Sequence, residues 1–401
     1  YSELIMFENL PVLPADPILG LMDAFHHDSN PNKIDLGVGV YKNTQGETPV
    51  LESVKRAEHH LLESEQTKLY IGPAGSAEFG SAIENLLLGE THSVINDGRV
   101  STVQTPGGCG ALRVAAELVK KSNPSATIWV SDPTWGNHIP LLGDSGLQIK
   151  TYPYYDTTTH RVSFEAMITA LQQAKSGDLV LLHGCCHNPS GADLSHQQWQ
   201  MLARMALEKG FTPFIDIAYQ GFGSGIEEDA YGLRLMAEQL PELLIASSCS
   251  KNFGIYRERV GAVLVISQNT SHAKACTTQL ARIVRGIYSM PPSHGAAVVA
   301  HILNNKGLRQ HWLGELDTMR ERINNLRQQL LEQLTTKGGG NAFSFISTQK
   351  GMFSFLDMPP AQVQRLRTEF SIYMTTDSRI SIAGINSNNI DYLSSAIISV
   401  T

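Results

Sequence analysis

Short apolar runs recur along most of this 401-residue chain, and polar or helix-periodic segments separate them. Seven of the runs have the length and the content of branched apolar residues that are typical of buried strands. Most are joined by helical or long connecting segments, which is the pattern of an α/β domain with a largely parallel sheet. The seven predicted strands are residues 99–104, 126–131, 147–152, 178–183, 211–217, 243–248 and 260–266.

The pattern changes towards the end of the chain, where residues 308–334 read as one long charged helix. The α+β region that follows is too short for an obvious core of its own, so we expect it to pack with the N-terminal segment. We therefore predict an N-terminal segment (residues 6–52) that packs with a small C-terminal domain (residues 315–401). A large domain (residues 53–314) lies between them.

Composition places the chain among soluble globular proteins, since 42% of its residues are hydrophobic and 17% are charged. The net charge of −7 argues against a nucleic-acid surface. No apolar run approaches the ~20 residues of a membrane span, and no signal peptide is visible. We therefore expect a cytoplasmic protein that has neither a nucleic acid nor a membrane as its partner.

The chain has five cysteines, and two of them, Cys185 and Cys186, are adjacent. An odd number with an adjacent pair is a poor framework for disulfides, and reduced thiols in a cytosolic enzyme fit better. The adjacent pair lacks the spacing of metal ligands, and the histidines are scattered. We therefore expect no metal site.

Polar residues that could carry chemistry follow the predicted strands. Asn188 follows one strand, Asp216 lies at the end of the next, and Ser248 to Lys251 follow another. Ligands of parallel sheets collect at the carboxyl ends of the strands. Residues 105–110 (TPGGCG) add a glycine-rich turn between a strand and a helix, which predicts an anion site. A purely structural turn is the alternative.

Lys251 directly follows an apolar strand and stands beside Ser250, with Arg259 a few residues further on. An amine among several anion donors is what an enzyme needs to hold a phosphorylated aldehyde as a Schiff base. Pyridoxal phosphate (PLP) is such an aldehyde, and it accepts electrons from carbanions. For a lone Ser-Lys pair, a solvated lysine at a strand end would be the better interpretation.

Three further stretches fit the same cofactor. A carboxylate buried at a strand end needs a partner, and a pyridinium N–H would give Asp216 that partner. Asn188 and Tyr219 could donate hydrogen bonds to the phenolic oxygen, and the indole of Trp135 could stack on the ring. Each has an ordinary alternative, because Asn188 precedes a proline in a common turn, Asp216 could cap a helix and Trp135 could belong to the core.

Taken together and in this order, the four stretches resemble the signature of class I PLP-dependent aminotransferases, in the aspartate and aromatic amino acid aminotransferase subgroup. The resemblance covers essentially all of residues 6–401. It implies an α/β protein of PLP-dependent transferase fold type I, in which a large PLP-binding domain holds a mostly parallel seven-stranded sheet beside a smaller α+β domain. It also implies pyridoxal 5′-phosphate as cofactor, amino acids and 2-oxo acids as substrates, and a homodimer with shared active sites.

The resemblance also implies roles for individual residues. Lys251 would hold the cofactor and move the proton between the substrate Cα and the cofactor's C4′. Asp216 on the ring nitrogen, which His138 would support, and Tyr219 on the phenolate are the other implied catalytic groups. The implied cofactor-binding residues are Tyr70 (from the neighbouring subunit), Gly108, Cys109, Trp135, Asn188, Asp216, Tyr219, Ser248, Ser250, Lys251 and Arg259. The implied substrate-binding residues are Gly39, Trp135, Asn188, Arg379 for the α-carboxylate and Arg285, from the other subunit, for a distal carboxylate.

The substrate range is less clearly marked. Leu69, Cys109 and Met290 stand where aspartate-specific members carry polar residues, and a second set looks aspartate-like: Val40, Lys42 and Thr48. We therefore expect an aminotransferase that moves the amino group of aromatic amino acids, aspartate and glutamate to 2-oxoglutarate by a ping-pong mechanism. An aspartate-selective enzyme is the alternative.

Two other classes of protein stay open. A β-lyase or a decarboxylase could use the same fold, because fold does not fix function. The pair Arg379 and Arg285 argues for transamination of dicarboxylates instead. A PLP-binding regulator without catalytic activity would call for an added DNA-binding domain, and none is evident in the sequence.

Overall fold

The structure is a computed structural model that describes residues 6–14 and 16–401. Its centre is a seven-stranded sheet, and three two-stranded sheets lie around it. In chain order the strands are β1 (Ile34–Asp35), β2 (Val100–Pro106), β3 (Thr127–Asp132), β4 (Gln148–Pro153), β5 (Tyr155–Asp156), β6 (Arg161–Val162), β7 (Leu179–His183), β8 (Thr212–Ile217), β9 (Leu243–Ser248), β10 (Val260–Ile266), β11 (Phe353–Phe355), β12 (Ile372–Tyr373) and β13 (Arg379–Ser381).

Helices connect most of these strands and surround the sheet. In chain order the α-helices are α1 (Pro17–His27), α2 (Glu52–Ser64), α3 (Ala77–Leu88), α4 (Ser93–Asn96), α5 (Gly107–Ser122), α6 (His138–Gly143), α7 (Phe164–Leu171), α8 (His196–Lys209), α9 (Ile226–Asp229), α10 (Tyr231–Gln239), α11 (Thr270–Ile287), α12 (His294–Asn304), α13 (Lys306–Leu334), α14 (Pro360–Phe370) and α15 (Ile390–Val400).

The central sheet has the strand order β2-β10-β9-β8-β7-β3-β4. β10 runs antiparallel to both of its neighbours, and the other adjacent pairs run parallel. The predicted α/β class with a mostly parallel seven-stranded sheet is therefore confirmed. Each predicted strand lies within two residues of an observed one, because long buried runs of branched residues leave little choice of conformation.

Apolar side chains cover both faces of the central sheet. Along β7, Leu179 and Leu181 belong to the core beneath α5 and α11, whereas Val180 and Leu182 point to the opposite core. That second core contains residues of α3, α8, α10 and α12. Successive side chains of a strand point to opposite faces, so a strand that is buried on both faces reads as a continuous apolar run.

The register of the strands brings their carboxyl ends to one edge. His183 at the end of β7 pairs with Asp216 in β8, and Asp216 pairs with Ala246 in β9. Ser248, which ends β9, pairs with Gly261 of β10, and Gly261 also pairs with Thr105 of β2. The glycine-rich turn, Asp216 and the Ser248–Lys251 stretch therefore lie along the same edge.

Two glycine-rich runs affect the element boundaries. Helix α5 begins at Gly107, inside the run 105–110 that was predicted as a turn before the helix, because these glycines form the first turn of the helix. The glycine-rich run 34–41 forms only the two-residue strand β1. Glycine adds no side chain to pack and weakens strands, so the rest of this run is irregular backbone.

The N-terminal segment contacts the C-terminal region through the parallel pairing of β1 with β12. Helix α13 is continuous across residue 314, so the predicted division between large and small domains falls inside one helix. The boundaries 6–52, 53–314 and 315–401 stay predictions. Among the described residues, none of the helices is both long enough and apolar enough to span a membrane.

Candidate active site

A cavity of about 270 Å³ opens at the carboxyl edge of the central sheet. Twelve of the residues named from the sequence line this one cavity, although they come from stretches far apart in the chain. They are Gly39, Gly108, Cys109, Trp135, Asn188, Asp216, Tyr219, Ser248, Ser250, Lys251, Arg259 and Arg379.

Tyr70 and Arg285 lie elsewhere. Together with Met290 they line a separate surface pocket of about 330 Å³, and Arg285 donates a hydrogen bond to the hydroxyl of Ser289. Tyr70 is 89% exposed, and its neighbour Leu69 is 77% exposed. A single chain therefore does not bring these two residues to Lys251.

The charges that line the cavity are unequal. Lys251, Arg259 and Arg379 are cationic, and Asp216 is the one carboxylate among the described lining residues. Three cations and one anion, gathered in a partly enclosed space, favour a ligand with several negative charges and one positive group.

Asp216 is held by a chain of hydrogen bonds whose proton positions can be deduced. The backbone N–H of Asn188 donates to Nδ1 of His183 (3.4 Å), so the proton of that imidazole lies on Nε2. His183 Nε2 then donates to the Thr134 hydroxyl (3.1 Å), and the hydroxyl donates to Nδ1 of His138 (2.7 Å). His138 therefore carries its proton on Nε2 and donates it to Oδ2 of Asp216 (2.8 Å).

The network keeps Asp216 charged. Burial raises the pKa of Asp216, but the hydrogen bond from His138 and nearby positive charge, including that of Lys251, outweigh burial and leave the pKa below its ordinary value. Burial lowers the pKa of His183 to about 3, so this imidazole is neutral at pH 7 and keeps the proton arrangement described above. The site thus presents a carboxylate that is negative at neutral pH, as an ion pair with a ring N–H requires.

Lys251 lies three residues after the end of β9, and its Nζ lies 4.9 Å from the centre of the Tyr219 ring. Burial lowers the pKa of Lys251, and the charge of Asp216 opposes this effect only in part. Burial also raises the pKa of Tyr219, so its phenol stays protonated and can donate a hydrogen bond. The amine is therefore easier to deprotonate than a solvated lysine, as a nucleophile or a base must be.

One end of the cavity is built to receive an anion. Helix α5 begins there with no side-chain cap on its first N–H groups, and an exposed helix N-terminus attracts negative charge. Arg259 donates to the Ser250 hydroxyl (3.5 Å). A methyl group at Gly107, whose φ is +73°, would overlap the Arg259 guanidinium, so glycine is needed for this close approach.

Arg379 forms the other end of the cavity. Its guanidinium donates to the Asn188 side-chain oxygen (3.1 Å) and to the Gly37 carbonyl (2.7 Å), and it lies 4.2 Å from the centre of the Phe353 ring. Its Nε–H is buried and has no hydrogen-bond partner among the described residues. A buried cation that lacks a carboxylate partner fits a carboxylate on a ligand.

Several residues of the site were not singled out from the sequence. Thr134 precedes Trp135 and His183 ends a predicted strand, but a short polar side chain and one of many histidines give no individual signal. Phe353 and Ile18 also line the cavity. Both are apolar residues, and nothing about an apolar residue type indicates a place in the site.

The structure also brings together Cys185, Cys186 and Asp229, three buried side chains of types that bind metals. The Asp229 carboxylate already accepts hydrogen bonds from three backbone amides, those of Gly221, Gly223 and Ser224. The hydrogen bond from Cys185 lowers the pKa of Cys186, but burial and nearby carboxylates outweigh it and raise this pKa to about 11. This cluster therefore suits packed thiols better than metal-binding thiolates.

A larger cleft of about 380 Å³ lies at the opposite edge of the sheet, where β9 begins and β10 ends. Its walls are mainly apolar, and they include Leu118 of α5 and Ala275 of α11. None of the residues with a predicted role lines this cleft. We therefore place the active site at the carboxyl edge, where the charges and the perturbed pKa values converge.

Comparison with known proteins agrees with this geometry. The family described as aminotransferase class I and II matches residues 31–397. The aspartate aminotransferase of Escherichia coli (strain K12) is 49% identical over 395 residues, which cover 98% of this chain and 100% of that protein. The aromatic-amino-acid aminotransferase of Paracoccus denitrificans is 47% identical, with the same coverage of both chains.

A solved structure gives the same result. The crystal structure of an aromatic-amino-acid aminotransferase from Burkholderia pseudomallei, covalently bound to pyridoxal phosphate, superposes with a TM-score of 0.97 at 42% identity. It covers 98% of this chain and 99% of that one. The chain belongs to the class I and II aminotransferase family, and it is a PLP-dependent transaminase.

The residues present fit this cofactor. The uncapped start of α5, the hydroxyls of Ser248 and Ser250 and the Arg259 guanidinium suit a phosphate at one end of the cavity. The charged Asp216 suits a protonated ring nitrogen, and the Lys251 amine suits an aldehyde carbon. Cys109 lines the same cavity, and its thiol would be a weak donor to a phosphate.

Thr134 provides a test of the hydrogen-bond network. Replacing it by valine keeps the shape but leaves His138 Nδ1 and His183 Nε2 without a partner. The free energy of unfolding should fall by about 1–3 kcal/mol. Turnover should fall as well, because Asp216 loses its fixed donor. Denaturant unfolding measures the stability of Thr134→Val, and steady-state assays measure its turnover. Thr134→Ser keeps the hydroxyl and should retain most of the wild-type stability and turnover. Equal losses in both variants would contradict the network.

Proposed function

We propose that this enzyme moves the amino group of aromatic amino acids (Phe, Tyr, Trp), aspartate and glutamate to 2-oxoglutarate by a ping-pong mechanism. The observation that carries the proposal is the convergence of the Lys251 amine, the Asp216 carboxylate and the Arg379 guanidinium in one cavity. The relatives named above include both aspartate and aromatic-amino-acid enzymes. The residue roles described below are part of the proposal.

Lys251 is the group that moves protons. Bound pyridoxal phosphate supplies an electron sink, which stabilises negative charge at the substrate Cα. Once the substrate amine has replaced Lys251 on the cofactor, the Nζ of Lys251 accepts the substrate's Cα proton. Because burial lowers the pKa of Lys251, the amine is available in its neutral form more readily than an exposed lysine.

Asp216 pairs with the ring nitrogen and keeps it protonated. A carboxylate whose pKa is held low stabilises the neighbouring proton without taking it up. Tyr219 and Asn188 donate hydrogen bonds to the phenolic oxygen. Since the Asn188 oxygen already accepts from Arg379, its NH₂ group is left to donate. Trp135 lies edge-on against His138 and covers one face of the cofactor ring.

Arg379 binds the α-carboxylate that every amino acid substrate shares. Its side chain is only 7% exposed, so an ion pair formed there is weakly screened by solvent. The backbone of Gly39 and the side chains of Trp135 and Asn188 lie beside it in the cavity. This arrangement orients the substrate so that Cα faces Lys251, which lowers the entropy cost of reaction.

A second copy of the chain completes the site. Both Tyr70 and Arg285 act in the active site of the neighbouring subunit. Tyr70 binds the cofactor phosphate there, and Arg285 binds the distal carboxylate of the substrate. Around them the surface exposes apolar side chains, including Leu69 (77%) and Ile287 (50%). Exposed apolar groups in one region favour a protein interface. We therefore propose a homodimer with shared active sites.

The residues around Arg285 favour a broad substrate range. Met290 lines the same pocket as Arg285, and Leu69 precedes Tyr70. Both are apolar where aspartate-specific members carry polar groups. Fewer polar groups therefore lose their water when an aromatic side chain binds there.

The five cysteines are unpaired, which supports a reducing, cytoplasmic location.

Single-turnover experiments decide between the broad and the aspartate-selective enzyme. Holoenzyme is mixed separately with aspartate, phenylalanine and tyrosine, in the absence of 2-oxoglutarate. We expect each amino acid to release about one equivalent of 2-oxo acid per active site, because ping-pong chemistry proceeds without the acceptor. Release from aspartate alone would establish the selective enzyme. Release of ammonia or CO₂ would indicate a lyase or a decarboxylase.

Co-expression of two inactive variants tests the shared site. A mixed dimer of Lys251→Ala and Arg285→Ala contains one site with both residues intact. If half of the dimers are mixed, aspartate turnover should recover to about one quarter of the wild-type rate. Lys251→Ala with Asp216→Ala is the matched control and should recover nothing, because both residues come from the same chain. Failure of the first pair would contradict the shared site.

A further inference from the structure

Arg327 of α13 is a buried cation that the mechanism described above does not use. Its side chain is only 1% exposed, although arginine is rarely buried without an acidic partner. No carboxylate pairs with it in the described part of the chain. Its four hydrogen bonds go to Asn324 (3.1 Å), the Ser354 hydroxyl (3.2 Å) and the carbonyls of Gly351 and Phe353.

Stability alone does not account for this residue. Burial lowers the pKa of Arg327 to about 10, so the guanidinium is still charged at neutral pH. Removing a charged group from water is unfavourable, and well-packed apolar residues in place of buried ion pairs are often neutral or stabilising. A buried charge that bonds the carbonyls of Gly351 and Phe353, two residues apart in one segment, suggests a positional role.

The segment that Arg327 holds lies directly behind the α-carboxylate site. The ring of Phe353 is 4.2 Å from the Arg379 guanidinium and packs edge-on against Tyr219, with centroids 5.9 Å apart. A methyl group at Gly39 would be 2.7 Å from Cζ of the same ring. One aromatic ring thus touches Arg379, Tyr219 and the backbone of Gly39.

A second connection runs through the backbone. Strand β11 pairs with β13, and the partner of Phe355 in this ladder is Arg379 itself. Arg327 bonds the Phe353 carbonyl and the Ser354 side chain of β11, so it also fixes the strand beside Arg379.

A third connection reaches the hydrogen-bond partner of Arg379. Gly351, with φ of +84°, lies so close to Cys186 that an added methyl group would overlap its Cβ. Cys186 lies two residues before Asn188, whose side-chain oxygen accepts a bond from Arg379. One support of the Arg379 guanidinium, the Phe353 ring, therefore belongs to the segment that Arg327 holds, and the other, Asn188, lies two residues after Cys186, which contacts that segment.

We propose that Arg327 is a positioning residue for the α-carboxylate site: it fixes Gly351–Phe353 and thereby the place of the Arg379 guanidinium. This inference rests on the proposed role of Arg379. Because the α-carboxylate is common to all substrates, Arg327 acts on dicarboxylic and aromatic substrates alike. It sets the affinity for the carboxylate and leaves the proton transfer at Lys251 largely unchanged.

The test measures binding of two unreactive carboxylates, succinate and 3-phenylpropionate, to PLP-loaded enzyme. In Arg327→Met, the Kd of both should rise by the same factor, on the order of tenfold, because a small displacement of a binding group is enough. KM for aspartate and for phenylalanine should rise in parallel, with kcat within about threefold of the wild type. Arg327→Lys, which keeps the charge but cannot bridge both carbonyls and Ser354, should show a smaller rise.

Arg309→Met is the matched control, because Arg309 lies on the same helix in a surface ion pair with Glu90. Its Kd values should equal those of the wild type. Unchanged Kd values in folded Arg327→Met, or a rise for succinate only, would overturn the inference. If Arg327→Met does not fold, wild-type Kd values in Arg327→Lys would overturn it.

Arg379→Ala separates the two levels of the argument. If this variant loses affinity for both carboxylates while Arg327→Met does not, the proposed function stands and the positioning role fails. If Arg379→Ala binds both carboxylates as the wild type does, the proposed role of Arg379 itself is wrong, and the inference fails with it.

Discussion

A negative charge buried at the end of a central strand is the constraint on which this active site depends. Asp216 is kept ionised by a hydrogen bond from the imidazole of His138, whose Nε2 proton is directed to the carboxylate through Thr134, His183 and the backbone N–H of Asn188. Each bond in this chain fixes the direction of the next, so a backbone amide decides the tautomers of two histidines. The carboxylate can therefore face a cationic ring without taking its proton, which is the condition for using that ring as an electron acceptor.

One long helix, α13, holds two parts of the site: the loop of Lys251 and the segment behind Arg379. Near the start of α13, the indole of Trp312 donates to the carbonyl of Asn252, next to Lys251, and stacks on Phe253. Arg327, fifteen residues later and about 22 Å along the helix axis, bonds the segment behind Arg379. Helix α13 thus connects the loop that carries the amine with the segment that supports the carboxylate site. The cavity between them is lined from both the central sheet and the C-terminal region.

The sequence predicted the sheet well because its strands are buried on both faces and read as continuous apolar runs. It also named the cavity residues from Gly39 to Arg379. Turn glycines, a strand-end carboxylate and a lysine among hydroxyls each have a chemical signature, whereas Gly39 and Arg379 were named through the resemblance to aminotransferases. The roles of Thr134, His183 and Arg327 could not be predicted from the sequence, because they follow from contacts between segments far apart in the chain. The start of α5 was misplaced because glycine has low helix propensity, and here the packing of the turn against Arg259 overrides it.

The covalent role of Lys251 is the central claim, and chemical trapping tests it most directly. Holoenzyme is treated with borohydride, which reduces a Schiff base to a stable secondary amine, and then digested and mapped by mass spectrometry. The account predicts that the cofactor's mass is added to the peptide that contains Lys251, and that no such addition occurs elsewhere in Lys251→Ala. Addition at another lysine of the wild-type enzyme, or none at all, would contradict the account.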